Sequence, residues 1–160
     1  MLLLVDNGSV FTKNIIEFLS EKNADFIALP FDKITPSDVN KFHSIILSGR
    51  RQNNREMNAL NSKIINHAIS EKKPLLGICY GAEILALTAG GTIRKMKSVE
   101  KGNNTVTVIK ENPLCSGVIQ AYQSHSFEIS RLGKSLIQLA SSENSIWRSE
   151  ERRVGKECRS

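Results

Sequence analysis

The stretch GICYGAEILALTAGG, residues 77–91, places a single cysteine between two glycines where an apolar strand pattern gives way to an apolar, alanine-rich run. Residues 74–78 predict a strand and residues 82–89 predict a helix, so Cys79 stands at the junction of the two. A sharp strand-to-helix turn crowds the backbone, and glycines on either side leave room where a Cβ would clash. The stretch is therefore typical of a nucleophile elbow that presents a thiol.

The segments before the elbow alternate between short apolar runs and longer amphipathic patterns. We predict strands at residues 2–5, 26–29 and 44–47, and helices at residues 12–22 and 56–72. Strands that alternate with helices indicate βαβ units, a mainly parallel sheet and helices on both of its faces. The predicted fold class is therefore α/β, a three-layer sandwich. In open parallel sheets the functional crevice lies beyond the carboxyl ends of the strands, which is where the elbow lies.

The half of the chain after Gly90 and Gly91 is rich in β-branched residues and turns. We predict strands there at residues 92–96, 104–109, 118–122 and 135–140. Because no linker-like segment or repeat separates the two halves, we predict one domain over residues 1–147. Residues 148–160, RSEERRVGKECRS, hold eight charged side chains in thirteen, and we predict that they form a disordered or non-native tail.

Length and composition exclude several classes of protein. At 160 residues the chain fits one soluble domain, and no apolar run approaches the roughly 20 residues needed to cross a bilayer. The formal net charge of +6 comes from scattered lysines and arginines, so a nucleic-acid footprint is not predicted. Cys79, Cys115 and Cys158 lie far apart without metal-ligand spacing, which favours neither a disulfide framework nor a metal site. We expect a cytoplasmic protein that binds no metal, no membrane and no nucleic acid.

The position of Cys79 also predicts its reactivity. Unpaired N–H groups and the positive end of the helix dipole stabilise an anion at a helix N-terminus. Cysteines in such positions have pKa values lowered from about 8.5 toward ~3.5 to 7.5, so we expect a thiolate near neutral pH. The alternative is that Cys79 is a buried small hydrophobic residue, as many unpaired cysteines are. The flanking glycines favour the nucleophile.

Three segments resemble the class I glutamine amidotransferases. GICYGAE, residues 77–83, is similar to the GxCxGxQ signature of that family, and IILSG, residues 45–49, is similar to its second signature, a strand ending in LSGGP or LSPGP. YQSHS, residues 122–126, resembles the SH segment that lies near the substrate in the family. The resemblance covers most of the chain and implies a flavodoxin-like three-layer α/β sandwich whose C-terminal part is incomplete here.

The resemblance implies a glutaminase reaction. Cys79 would attack the side-chain amide of glutamine, ammonia would leave, and water would hydrolyse the γ-glutamyl thioester to glutamate. The backbone N–H of Tyr80 and that of Gly49 or Arg50 would form the oxyanion hole. The residues expected to contact the substrate are Glu83, Ser126 and Phe127, the last two through their backbones.

Within the family the chain most resembles the glutamine-hydrolysing subunit of a two-subunit GMP synthase. The Leu-Ser-Gly of the second signature favours this group over the anthranilate and aminobenzoate synthase subunits, which have Leu-Ser-Pro-Gly. Such a domain passes ammonia to a synthase and uses no cofactor. The expected partners are therefore glutamine and the synthase subunit that accepts the ammonia, and the identity of the acceptor substrate rests with the synthase.

Three features depart from the family pattern. Glu83 stands where the family usually has Gln, and an ionised carboxylate accepts hydrogen bonds but donates none. Gly49 is followed by Arg50 and Arg51 instead of Gly-Pro, and these arginines can hold an acidic group of a partner or substrate. The FHPE-type motif that supplies the family's catalytic His and Glu does not occur in the printed sequence, so we expect a partial domain with impaired activity. His125 is the alternative base, although it matches the SH segment.

Two other functions fit the same elbow. DJ-1/PfpI-like proteins carry an elbow cysteine on a similar fold and act on aldehydes, peptides or oxidants. They usually place a glutamate before the elbow, whereas residues 72–74 here are Lys-Lys-Pro. A non-catalytic regulatory module that binds glutamine without turnover is the other alternative. Glutaminase assays, glyoxalase assays and calorimetry with glutamine separate the three.

Overall fold

The computed structural model describes residues 1–35 and 37–142 in full and the backbone of residues 146–151. The elements of the first half are β1 (Leu2–Asn7), α1 (Thr12–Glu21), β2 (Phe26–Pro30), two 3-10 helices (Phe31–Lys33 and Asp38–Lys41), β3 (Ser44–Arg50), α2 (Arg55–Ser70), β4 (Leu75–Gly77) and α3 (Tyr80–Thr88). They are followed by β5 (Thr92–Val108), β6 (Val118–Arg131), β7 (Leu136–Ser142) and β8 (Ile146–Glu151). Each strand and helix predicted in the first half is present, with ends that differ by a few residues. No helix in this part of the chain is long and apolar enough to span a bilayer.

Contacts within the chain divide it into two compact units, one from Met1 to Thr88 and the other from Ala89 onward. Each unit has its own four-stranded sheet. The single domain over residues 1–147 stays a prediction. Of the predicted tail, residues 148–151 belong to β8, and residues 152–160 lie outside the described residues.

The first unit is a parallel sheet between two helical layers. Its strand order is β2-β1-β3-β4, and the two central strands are the most continuously buried, as expected for strands covered on both faces. Because successive side chains of a strand point to opposite faces, the sheet has two separate cores. The α2 and α3 face includes Leu3, Val5, Ile45, Leu47 and Ile64, and the α1 face includes Leu4, Leu19 and Ile46. This arrangement confirms the predicted α/β three-layer sandwich.

A buried polar cluster joins the carboxyl ends of the two central strands to α2. The backbone N–H of Asn7 donates to the Ser48 hydroxyl at 2.9 Å, and the Asn7 side chain donates to the Ser48 carbonyl at 3.2 Å. Asn61 donates to the Asn7 side chain at 2.8 Å and to the Met57 carbonyl at 2.8 Å. Buried polar groups are costly unless they are hydrogen-bonded, so a displacement of β1, β3 or α2 that broke these bonds would be unfavourable. The cluster therefore fixes the relative positions of the three elements at this edge of the sheet.

The second unit is an antiparallel sheet of order β6-β5-β7-β8. The sequence predicted separate strands at residues 92–96 and 104–109, but the structure joins them into β5 and extends the strand predicted at 118–122 to residue 131. A register shift between Lys95 and Glu100 marks the junction. The sequence did not predict one continuous strand, because charged residues lie between the two predicted strands. Much of β5 is also exposed and shows only weak hydrophobic alternation.

Candidate active site

Cys79 lies in a strained turn between β4 and α3. Its φ is +53°, a value that residues other than glycine rarely adopt outside turns and functional sites. A Cβ at Gly77 would collide with the carbonyl of Gly81, and a Cβ at Gly81 would collide with the carbonyl of Leu47 in β3. Both glycines are therefore needed for the turn to approach the sheet. This geometry is that of a nucleophile elbow.

The N–H groups of the first turn of α3 are mostly occupied by backbone carbonyls. Gly81 donates to the Ile78 carbonyl at 3.0 Å, and Ala82 and Glu83 both donate to the Cys79 carbonyl, at 2.9 and 3.0 Å. The N–H of Tyr80 lowers the pKa of the Cys79 thiol. This backbone donor therefore acts on the sulfur, and it is the one that the sequence predicted for the oxyanion hole.

The predicted lowering of the Cys79 pKa is wrong, because the structure raises the pKa of this thiol. Burial of the thiol is the main cause, and the Glu83 carboxylate one helical turn away adds to it. The Tyr80 N–H and the Arg50 guanidinium lower the pKa, but they do not compensate. Cys79 is exposed as a whole residue. The protein atoms around its side chain nevertheless desolvate the anion, and desolvation disfavours the charged form.

Gly49 lies beside the elbow. A Cβ built on Gly49 would be 3.5 Å from the Cys79 Cβ and 3.2 Å from the Ser9 hydroxyl oxygen. The Ser48 hydroxyl donates to the Gly49 carbonyl at 2.9 Å, which fixes the orientation of the peptide between Gly49 and Arg50. The structure thus brings Cys79, Tyr80 and Gly49 together, while the role of Gly49 as an oxyanion donor stays a prediction.

Arg50 turns inward, toward Tyr80 and Glu83. Its guanidinium carbon lies 4.2 Å from the centre of the Tyr80 ring, and its Nη2 lies 3.9 Å from Oε2 of Glu83. Its Nη1 donates to the side-chain oxygens of Asn53 at 2.5 Å and of Asn58 at 3.3 Å. The Tyr80 hydroxyl donates to the same Asn58 oxygen at 2.7 Å, and burial raises the Tyr80 pKa to about 12. Sequence reasoning offered an acidic group of a partner or substrate as one possible contact of Arg50 and missed this cluster.

The remaining predicted substrate contacts, Ser126 and Phe127, lie on β6 in the second unit and are partly buried. The adjacent His125 contacts acceptors with both ring nitrogens. Its Nδ1 lies 2.9 Å from the Phe127 carbonyl, and its Nε2 lies 2.8 Å from Oε1 of Gln123 and 3.4 Å from Oε2 of Glu100. Because both ring nitrogens are engaged in contacts, the structure favours a structural role for His125 over that of a general base.

The other histidines and cysteines form no second reactive cluster in the described residues. His43 is exposed, with Nδ1 3.2 Å from the terminal amine, and His67 lies partly buried in α2. Cys115 contacts the side-chain oxygen of Asn112 through its backbone N–H and its thiol. No group of three His, Cys, Asp or Glu residues in this part of the chain could hold a metal ion.

A family model described as glutamine amidotransferase class-I matches residues 3–154 of the chain. A glutamine-hydrolysing GMP synthase of Flavobacterium psychrophilum is 35% identical over 146 residues, which make up 89% of this chain and 28% of that protein. A glutamine-hydrolysing GMP synthase subunit of Thermoplasma acidophilum is 31% identical over 143 residues, which make up 87% of this chain and 70% of that relative.

A solved structure supports the same relationship. The crystal structure of a GMP synthase subunit from Thermoplasma acidophilum superimposes with a TM-score of 0.79 at 26% identity, over 94% of this chain and 78% of that one. The chain spans 28% of the length of the longer GMP synthases that it matches. From the elbow geometry and a family match over most of its length, the chain belongs to the class I glutamine amidotransferases.

Proposed function

We propose that this chain is a glutaminase in which Cys79 is the nucleophile. The thiolate attacks the side-chain amide carbon of glutamine, the C–N bond breaks, and the nitrogen leaves as ammonia after it gains a proton. Water then hydrolyses the γ-glutamyl thioester, which releases glutamate and restores the thiol. The observation that carries this proposal is the positive φ of Cys79 at a strand-to-helix turn, which Gly77 and Gly81 allow to approach the sheet.

The oxyanion hole is proposed to consist of the backbone N–H groups of Tyr80 and Gly49. Both residues lie next to Cys79. The Ser48 hydroxyl holds the Gly49 carbonyl, which belongs to the peptide of the alternative donor, the Arg50 N–H. Donors of this kind typically contribute about 2.7 to 4 kcal/mol each to stabilising the transition state. The Glu83 carboxylate is proposed to accept from the α-ammonium of glutamine, and the backbones of Ser126 and Phe127 to line the substrate.

The reaction needs a base, because the pKa of Cys79 is raised and the thiol is neutral at neutral pH. A histidine paired with a glutamate performs this task in the family, where it takes the thiol proton and returns it to the departing ammonia. The printed sequence has no FHPE-type segment, and His125 is held by acceptors on both sides. We therefore propose that the printed chain turns over glutamine slowly.

The ammonia is proposed to pass to an ammonia-accepting synthase subunit, in the cytoplasm. The support is the likeness to a glutamine-hydrolysing subunit of GMP synthase and to the corresponding part of longer GMP synthases. GMP synthesis is the first acceptor reaction to test. A pull-down with the synthase subunit of a two-subunit GMP synthase, followed by an assay for GMP from glutamine, tests it directly.

The test of the nucleophile uses a diazo-ketone analogue of glutamine and mass spectrometry of the labelled peptides. We expect label on Cys79, and no label and no ammonia release after Cys79→Ser. The matched control Cys115→Ser should retain both. Ammonia release by the Cys79→Ser variant would overturn the mechanism.

Two further measurements distinguish the alternative functions. Calorimetric binding of glutamine without ammonia release under any condition would identify a glutamine-binding regulatory module. Turnover of glyoxal-type aldehydes without glutaminase activity would identify a DJ-1/PfpI-like enzyme. The family membership of the chain favours the glutaminase over both.

A further inference from the structure

Two charged side chains of opposite sign lie against each other beside Cys79. Arg50 ends β3, Glu83 lies one turn into α3, and their closest charged atoms are 3.9 Å apart. Their side chains are only 18% and 12% exposed, so solvent screens their mutual attraction less than at a surface. The Tyr80 ring covers the guanidinium at 4.2 Å and holds it in this position.

These two residues are also two of the positions at which the sequence departs from the family signatures. The chain has Arg50 where the signature continues Gly-Pro, and Glu83 where the signature has Gln. A carboxylate introduced near a nucleophilic thiol opposes formation of the thiolate, because like charges repel. A guanidinium introduced next to both groups opposes that effect. The two departures therefore compensate each other in charge.

We propose that Arg50 and Glu83 form a charge couple that sets the ionisation of the Cys79 thiol, with Arg50 as the residue that neutralises Glu83 beside the nucleophile. The proposal concerns the thiol that the proposed function uses, but it does not require that glutamine is hydrolysed. Arg50 acts through Glu83 and through the field at the sulfur, so it is a positioning residue.

Among the residues that the structure describes, Glu83 and Arg50 are the charged side chains that act on the sulfur. Glu83 raises the thiol pKa and Arg50 lowers it, in agreement with the geometry. The Tyr80 hydroxyl, the other titratable group of the cluster, is neutral at physiological pH and is bonded to Asn58. From α2 the cluster receives only the neutral Asn58 amide among the contacts described. Removal of Arg50 should therefore raise the thiol pKa, and removal of Glu83 should lower it.

The test measures the rate at which iodoacetamide alkylates Cys79 as a function of pH, with peptide mapping to separate Cys79 from the other thiols. Iodoacetamide is uncharged, so its approach is not biased by the substitutions. We expect Arg50→Met to move the midpoint of the profile upward by about one pH unit, which is about a tenfold loss of thiolate at neutral pH. Arg50→Lys, which keeps the charge, should restore most of this loss.

The isosteric Glu83→Gln variant should move the midpoint downward, and further than Arg50→Met moves it upward, because the carboxylate acts more strongly on the thiol than the guanidinium does. The double variant Arg50→Met/Glu83→Gln should lie between the two single variants. A purely structural role for Arg50 does not predict an upward shift in Arg50→Met that Glu83→Gln offsets. Midpoints that do not move, or that move in the same direction in both single variants, overturn the proposal. If Arg50→Met does not fold, Arg50→Gln takes its place, with the same upward shift expected.

Discussion

Cys79 has a backbone conformation that suits a nucleophile and an environment that opposes its ionisation. The positive φ turns the side chain out of the strand-to-helix turn, and the two flanking glycines allow the turn to approach the sheet. Burial and the Glu83 carboxylate raise the thiol pKa in the same place. Cys79 is thus placed as the proposed mechanism needs, and that mechanism also needs another group to remove the thiol proton.

The first prediction at this scale concerns Gly81. A methyl group at this position meets the Leu47 carbonyl, which is backbone of a central strand and cannot move aside cheaply. We expect Gly81→Ala to lower the free energy of unfolding by about 1–3 kcal/mol, measured by urea denaturation. Gly49→Ala is the matched control, because the nearest contact there is the Ser9 side chain at 3.2 Å. An equal loss in both variants would contradict the steric account.

The second prediction concerns the pH dependence of Cys79. A thiol with a raised pKa is protonated below that pKa, so the thiolate fraction increases as the pH rises toward it. We expect the alkylation rate of Cys79 to increase about tenfold for each pH unit between pH 7 and pH 8, without a plateau. Alkylation by iodoacetamide, followed by mass spectrometry, measures the profile. An alkylation rate that is already constant across this range would contradict the raised pKa and support the lowered pKa that the sequence predicted.

At the scale of elements, β1, β3 and α2 are joined by side chains that sequence patterns do not connect. Asn7 and Ser48 end two neighbouring strands, and Asn61 reaches them from the helix. The same cluster holds the Gly49 carbonyl through Ser48. The candidate site lies at this edge of the sheet. Its structure therefore depends on the buried Asn61 side chain of α2, although none of the hydrogen bonds in this cluster involves the Cys79 thiol.

The prediction at this scale compares two asparagines of α2. Asn61→Ala leaves the buried Asn7 amide without one of its partners, so we expect a loss of about 1–3 kcal/mol of stability. Asn66→Ala on the exposed side of the same helix should change stability by less than about 0.5 kcal/mol. Thermal and urea unfolding of the two variants measure the difference. Similar losses in both would show that helix propensity, rather than the buried cluster, is responsible.

At the scale of the whole molecule, the candidate site contains the proposed nucleophile and a backbone donor in the first unit, while no FHPE-type segment occurs in the printed sequence. The histidine closest to the expected substrate segment, His125, is held by Phe127, Gln123 and Glu100. Activity of the chain should therefore be limited by proton removal from the thiol and not by the position of the thiol.

This limit predicts chemical rescue. Free imidazole, added at high concentration, can act as the base, so we expect it to increase labelling of Cys79 by the diazo-ketone analogue several-fold at constant pH and ionic strength. His125→Gln should leave both the basal labelling and the rescue of the folded protein largely unchanged. Mass spectrometry of the labelled peptide measures both rates. Loss of labelling in His125→Gln, with the fold intact by circular dichroism, would instead identify His125 as the base.

The sequence by itself determined the α/β class, the elements of the first unit and the position of Cys79 at an elbow. Periodicity and glycine placement express these features locally, and local patterns can be read without coordinates. The tertiary structure decided the contact of Arg50 with Glu83, the cluster of Asn7, Ser48 and Asn61, and the direction of the Cys79 pKa. Each of these depends on burial and on charges brought together from different elements. Burial and charge proximity are properties of the packed molecule, because the free energy of an ion depends on everything that surrounds it in space.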